Sequence, residues 1–443
     1  MPKSGIPAYP YLKLRGKGAA RRSTLGTRKP LPPIYDAADF SPHDPDPRLG
    51  AGLTDPAKPA PARAVPASSS ASKAAVKRGV RNSVKSVEPA RDYDHFLGRL
   101  SSKNTAANLL RSAGQEKLSV RVSQCIYVRR QPVVSLQVSK ETGRASVSGI
   151  VTCSSVWCCP CCSPRISARR KDELDKLMSG ARAEGLSVVM LTLTARHNRR
   201  MALAPFLDDL KSSKQRLQQL TAWRNLKPVM VGSVTATEVT HGDNGFHPHF
   251  HCLLVLDAPQ EQALAMVEGL RSAWIASLAT FGLEGEKAAF HVQDASAAQC
   301  YVAKFGAAEE LALQGSKRGR NGSRGPWELL EAARDGDLQA GAIWQEYAAA
   351  FRGRRQLVWS RGLKARFGVD EVSDDEAAAT DETTHVVVRQ WTCGRAWREA
   401  RRRLASLLFA AETGGDLDRA EFGPTDARRW AAIGGFGLLE SPD

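Results

Sequence analysis

The sequence predicts an α+β protein: a ferredoxin-like antiparallel sheet, preceded by a small zinc-binding module and a disordered N-terminal arm. Three observations predict it. From Ser187 onward the apolar pattern switches between strand and helix periods in the order β-α-β-β-α-β-α, and its first six elements are the split βαβ arrangement with helices on one face. Six of the nine cysteines, Cys125, Cys153, Cys158, Cys159, Cys161 and Cys162, crowd into one short region. Residues 1–91 are rich in Pro, Ala, Ser, Lys and Arg and show no sustained apolar period.

The 443 residues are enough for more than one domain, and none of their apolar runs has membrane-spanning length. The start lacks a secretory apolar region, so the expectation is a soluble, cytoplasmic protein with no membrane partner. Lys and Arg number 63 against 46 Asp and Glu, a formal charge of +17 and a pI near 9.7. Such an excess favours a polyanion through counterion release, nucleic acid before an anionic membrane surface.

In chain order, the basic arm 1–91 reads as a spacer or a weak DNA-binding tail. Residues 92–165 read as a β-rich module with strands at Val120–Val128, Val133–Val138 and Ala145–Thr152, the last two joined by the turn ETGR. An intracellular chain seldom stores disulfides, so the cysteines point to a metal. Cys153, Cys159 and Cys162, with Cys125 upstream, have the spacing of a four-thiolate structural zinc site. Cys158 and Cys161 offer the same spacing one residue earlier, and spacing alone does not choose between them.

From Ser163 the spacing of Ile166, Leu174, Leu177, Met178 and Ala181 predicts a helix ending near Gly185. This opens the main domain, 166–315. A strand, Ser187–Thr194, follows. Next comes a helix with Leu203, Phe206, Leu207, Leu210, Leu217 and Leu220 on one side. Val231–Thr240, the turn Gly242-Asp243-Asn244-Gly245 and the apolar run to Leu256 form a hairpin. Its second strand carries His247, His249 and His251 at alternate positions, hence on one face. Centring the turn between Asp243 and Asn244 puts Glu238 opposite His249. Two imidazoles and a carboxylate across a ladder can hold a divalent cation with positions left open, with His247 a further candidate ligand. In ferredoxin-like order the first and third strands are central, so the histidines lie mid-sheet on the open face. A helix from Pro259 to Gly282, a strand Ala289–Gln293 and a helix from Ala295 complete the domain.

That last helix carries Tyr301 and, three residues on, Lys304, which fall on one side. The loop GSKRGRNGSRGPW, with Arg318, Arg320 and Arg324, has the composition to track a phosphate backbone. Residues 316–370 form a helical extension. There Trp344, Tyr347 and Phe351, among arginines, suit single-stranded DNA stacking but have the spacing of an ordinary core helix, which is favoured. An acidic linker, 371–385, leads to a small helical segment, 386–443, with the basic stretch WREARRRLASLL.

Through LTLTARH, HPHFHCLLVL and YVAKFGAAEE, in that order, the chain resembles the plasmid rolling-circle replication initiators (Rep proteins) of the HUH endonuclease superfamily. CSSVWCCPCCSPRISARRKDEL and GRRQLVWSRGL are also similar to bacterial members, so the likeness runs from about Val120 to Gly368. The resemblance implies an HUH endonuclease fold and a site-specific nuclease and strand transferase. In it Tyr301 attacks an origin phosphodiester, leaving a free 3′-OH and a 5′-phosphotyrosyl link. Mg2+ or Mn2+ on His249, His251 and Glu238 (with His247 as a further ligand) polarises the phosphate. Lys304 binds the phosphate or lowers the tyrosine pKa. His197 touches DNA, supports the metal, or simply ends a strand. The implied partners are origin DNA, single-stranded at the nick, and host helicase and polymerase in a bacterial cytoplasm. Two departures stand out. Members with a second tyrosine one turn on have it where this chain has Phe305, and members with a glutamate one turn earlier have it where this chain has Ala297. Asp294 lies two turns before and reads as a helix cap. The competing readings are a non-catalytic zinc-dependent DNA-binding protein, a metal hydrolase, and an HUH-class relaxase or transposase, although relaxases usually place the tyrosine before the histidines.

Overall fold

The computed structural model describes residues 91–295, 322–379 and 385–423. Tyr301, Lys304, Phe305, Ala297, Arg318 and Arg320, together with nearly all of the basic arm, lie outside the described residues.

The first elements are helices. Helix α1 (Tyr93–Ser112) starts where the Asp92 carboxylate accepts from the His95 backbone N–H, and α2 (Glu116–Gln124) follows after Gly114. The strand expected over Val120–Val128 is therefore a helix and a turn. Its β-branched residues prefer strands only when a sheet surface is there to receive them. Here Ser119 and Val122, three apart, both face α1, and the Ser119 hydroxyl donates to the Ala107 carbonyl. Strands β1 (Val134–Ser139) and β2 (Ala145–Ser148) form the expected hairpin, turned by Gly143 at φ 68°. Helix α3 (Cys162–Ala183) then leads into the main sheet.

That sheet contains β3 (Ser187–Leu193), β4 (Met230–Gly242), β5 (Gly245–Leu256), β6 (Phe290–Asp294) and β7 (Leu357–Trp359) in the order β6-β3-β5-β4-β7, every pair antiparallel. The first four strands have the order expected of the split βαβ arrangement. Between them run α4 (Leu203–Gln219), α5 (Thr221–Leu226), α6 (Gln260–Glu268) and α7 (Arg271–Thr280). The single helix expected from Pro259 to Gly282 breaks at Gly269. The break lets α7 direct Trp274 into the core, where its indole N–H donates to the carbonyls of Thr194 and Ala289. One sheet face buries Val189, Leu191, Leu193, Cys252 and Leu254 against these helices. The other face, expected to be open, is partly covered. Leu174, Leu177 and Ala181 of α3 pack on Val188, Met190, Leu253 and Val255, leaving only the histidine end of that face uncovered by α3.

The extension beyond the main sheet is not wholly helical either. After α8 (Pro326–Arg334) and α9 (Leu338–Ala350), β7 adds a fifth strand to the free edge of β4, and α10 (Leu363–Arg366) and α11 (Asp374–Ala378) follow. Trp344, Tyr347 and Phe351 are all core residues, at 0%, 2% and 0% exposure, so they are closed to base stacking. Strand β8 (His385–Trp391) pairs with β1, completing a second sheet of order β2-β1-β8, and α12 (Gly394–Ala400) and α13 (Leu404–Thr413) pack on the same core. The segment expected to stand apart after the linker thus shares its core with α1, the cysteines and α9 as far as residue 423. Trp391, Trp397 and Leu404 bury their apolar surface in that shared core.

Candidate metal centres and active site

The hairpin β4–β5 sets the first site. Gly245, at φ 88°, closes the turn and leaves room for Asn198 and Arg199 of the loop after β3. The register that follows pairs Glu238 with His249 and Ala236 with His251. Glu238, His249 and His251 each contribute one ligand atom to a group whose atoms lie within 4.8 Å of one another. One carboxylate oxygen, Oε2, is 3.2 Å from His249 Nε2 and 3.0 Å from His251 Nε2. Burial pushes the Glu238 carboxyl up, but the imidazoles of His249 and His251 outweigh it and hold it well below the usual carboxylate range. The carboxylate side chain is 45% exposed while the imidazoles are 15% and 12% exposed, so the group is open on one side. Two nitrogens and an oxygen with a free side suit a divalent cation that exchanges ligands.

His247 shares the face but stands outside this group. Its ring stacks on His197 at 4.6 Å between centroids, which gives His197 a place beside the site. Burial, with His249 and His197 nearby, lowers the His247 pKa to about 4, so it is neutral at pH 7. Strand β3 and the residue just after it contribute two hydroxyls that the sequence reading passes over. The Thr192 hydroxyl lies 3.1 Å from His251 Nδ1, and the Thr194 hydroxyl lies 3.1 Å from His247 Nε2. Thr194 also donates to the Pro248 carbonyl at 3.0 Å. Pro248 is tolerated in this central strand because β3 ends its pairing at Leu193, so no ladder bond is missing there. The signal for the threonines is their alternation in LTLT, which puts both on the histidine face. His291 of β6, paired with Thr192, lies on the same row and is exposed.

The second site is built from Cys125 just after α2, Cys153 and Cys159 in the loop after β2, and Cys162 at the start of α3. All four are buried, and their sulfurs lie within 4.8 Å of one another. Sγ distances are 3.4 Å for Cys125–Cys162 and 3.7 Å for both Cys153–Cys162 and Cys159–Cys125. Tetrahedral zinc with bonds of about 2.3 Å needs sulfurs about 3.8 Å apart, so the donor set fits that ion. Geometry also resolves the register: Cys158 and Cys161 are buried but outside the group, and burial pushes Cys158 up to about 12. Hydrogen bonds from Cys125, Cys153 and Cys159 hold Cys162 well below the usual thiol range. Beneath the cluster Lys103 is fully buried. Its ammonium donates to the carbonyls of Ser123 and Cys125 at 3.0 and 3.3 Å and lies 3.4 Å from the centre of the Tyr127 ring.

Of the arginines expected on DNA, Arg324 is described. Its backbone bridges His241 at the hairpin end, and its guanidinium pairs with Asp337 at 3.1 Å. Asp294 ends β6 and accepts from the Gln260 amide at 2.9 Å. Ala295 is buried on the histidine side of the sheet, with its N–H donating to the Val188 carbonyl. The chain is next described at Gly322, beside the hairpin end. Ala295 and Arg324 thus each bond to a strand of the sheet that carries the histidines.

Residues 145–260 match the family model described as replication protein (Rep_1), a span that covers both the thiols from Cys153 onward and the histidine hairpin. The chain is 28% identical over 320 residues to a protein of Streptomyces lividans named Protein rep, covering 54% of this chain and 68% of that one. It is 27% identical over 146 residues to a Streptomyces cyanogenus protein named Neomycin resistance protein, covering 27% of this chain and 33% of that one. No solved structure matches.

Proposed function

We propose that this chain, which belongs through residues 145–260 to the Rep_1 replication protein family, starts rolling-circle replication by nicking and rejoining one strand of origin DNA. The observation that carries the proposal is the Glu238, His249 and His251 group at the end of the sheet that α3 does not cover. Bound there, Mg2+ or Mn2+ supplies Lewis-acid polarisation of the scissile phosphate. Tyr301 supplies the nucleophile. Its phenol oxygen bonds to phosphorus as the P–O3′ bond breaks, and the phenol proton is balanced by protonation of the departing 3′ oxygen. A 5′-phosphotyrosyl link and a free 3′-OH primer result. Because one phosphoester replaces another, the same 3′-OH can reverse the step without ATP. Lys304 brings a cation to the phosphate. A chain extends at most ~3.5 Å per residue, so the six residues from Ala295 to Tyr301 reach up to about 20 Å. His251, four strand residues from Val188 along the ladder, is roughly 13 Å away.

In this reading the four thiols hold structural zinc and anchor α3 beneath the sheet. Arg318, Arg320 and Arg324 hold the DNA backbone, and host helicase and polymerase take over at the exposed primer. The test offers 5′- and 3′-labelled single-stranded origin candidates with Mn2+ or Mg2+. A covalent adduct to the 5′ phosphate of the downstream fragment, which carries the 3′ label, lost in Tyr301→Phe with DNA binding intact, is the expected result. Sequence-specific binding with no adduct on any candidate would support the zinc-dependent DNA-binding reading instead, and cleavage without an adduct would support the hydrolase.

A further inference from the structure

The three imidazoles differ in what their second nitrogen touches, and that difference has a consequence for metal choice. The Thr194 hydroxyl has one hydrogen, and a carbonyl oxygen can only accept, so that hydrogen is committed to Pro248. Toward His247 the same oxygen can therefore only accept, which puts a proton on His247 Nε2. A protonated nitrogen has no lone pair for a metal, and His247 places no nitrogen in the 4.8 Å group of ligand atoms. Among the described residues the Thr192 hydroxyl has no such second commitment. It can donate to His251 Nδ1 while Nε2–H donates to Glu238, or accept from Nδ1–H while Nε2 turns its lone pair outward. His249 has Nδ1 3.4 Å from the His247 carbonyl, a weak bond that also favours Nδ1–H and a free Nε2.

We propose that Thr192 and Thr194 set the ligand count of the histidine site. Thr192, by accepting from His251 Nδ1–H, leaves Nε2 its lone pair for the metal, and Thr194 withholds His247 Nε2, keeping the site at two imidazoles and one carboxylate. Such a set favours hard cations with open positions, whereas a third imidazole would draw borderline ions such as Zn2+ or Co2+. Thr194 is thus a specificity-determining residue that touches neither metal nor DNA. The inference rests on the metal reading of this site but not on Tyr301.

The test is metal binding to the full chain with zinc retained at the cysteines. Mn2+ is followed by its paramagnetic resonance signal, and Co2+ by its absorption. Thr192→Val is expected to weaken Mn2+ binding roughly 10- to 100-fold, as loss of an outer-shell partner does. Thr194→Val is expected to tighten Co2+ roughly tenfold over wild type, Thr194→Ser to behave as wild type, and Thr194→Val combined with His247→Ala to lose the gain. In the wild-type background His247→Ala should leave Mn2+ affinity within about twofold, while His249→Ala lowers it at least about tenfold. The proposal is overturned if His247→Ala weakens Mn2+ as much as His249→Ala, or if a folded Thr194→Val binds both ions as wild type does. Should Thr194→Val fail to fold, the His247→Ala comparison still decides. Metal binding as expected but without a covalent DNA adduct would sink the nuclease reading and leave this one standing.

Discussion

The two donor groups differ in almost every physical respect. Four thiols sit sealed in the core, at 0 or 1% exposure, and come from the end of α2, the loop after β2 and the start of α3. Two imidazoles and a carboxylate sit on adjacent strands at the end of a sheet that α3 does not cover, the carboxylate nearly half exposed. Four protein ligands complete a tetrahedral shell, so an ion there has no position left for substrate. Three ligands leave positions that a phosphate oxygen can take. The sealed group is part of the cluster that joins α1, α9, β8 and α13, whereas the open group contributes little to any core. A closed shell holds a fold together; an open one presents chemistry.

The largest expected effect breaks this contrast if it fails. Cys159→Ser leaves three thiolates and a buried hydroxyl, and should lose one zinc per chain and on the order of 4 kcal/mol of stability. Glu238→Gln, at the open group, should change stability by less than about 1 kcal/mol while abolishing Mn2+ binding. Zinc content by atomic emission and urea unfolding followed by circular dichroism read both. A Cys159→Ser protein that unfolds like wild type would remove the structural role of the cluster.

The same contrast explains what was legible in the sequence. The open site was legible almost to the residue, because strand alternation and a Gly-Asp-Asn-Gly turn fix a register locally, and Glu238 does stand opposite His249 on β5. Strand order followed from element order. The sealed half was far less legible. Its cysteines were singled out with two registers left open, but Val120 lies on a helix, and the second partner of β1 is β8, where Val134 meets Trp391 from a remote part of the chain. Which distant segment pairs with a free edge is decided by the whole core and leaves no periodic mark. Nor did spacing disclose that α3 covers half of the histidine face. Thr192 and Thr194 were missed because a hydroxyl's role depends on what the fold places within hydrogen-bonding reach.

A middle-sized effect concerns acid. The sealed half also buries bases: His95 is 5% exposed, and its Nε2 lies 2.6 Å from the Arg99 guanidinium. Burial, with Arg99 and Arg91 adding repulsion, lowers its pKa to about 4 from 6.5. The folded state therefore takes up this proton later than the unfolded chain does. Its contribution to stability is full above about pH 6.5 and falls as the pH drops toward about 4, by about 2 kcal/mol once solvent screening is allowed for. His95→Gln keeps an acceptor for Arg99 without titrating, so urea midpoints between about pH 7 and 4 should fall less steeply than in wild type. Parallel slopes would show that His95 does not contribute.

The smallest effect lies at the seam between the halves, where Arg324 connects α8 to the hairpin end. Replacing a phosphate-binding arginine ordinarily lowers the salt dependence of DNA binding by about one released counterion. Arg324 begins with a handicap, since its guanidinium already pairs with Asp337 and must leave that carboxylate to meet a phosphate. Arg324→Ala should therefore weaken single-stranded DNA binding only a few-fold, with a slope change below about one. Asp337→Asn should do the reverse, because it frees the guanidinium while its amide oxygen can still cap α9, as the carboxylate does for the Ala340 N–H. In the double variant the gain from Asp337→Asn should vanish, which separates a direct contact from a general change in surface charge. Titrations at several salt concentrations measure all three. If Asp337→Asn strengthens binding equally with and without Arg324, the effect is one of net charge, and the open site's rim begins elsewhere than at this residue.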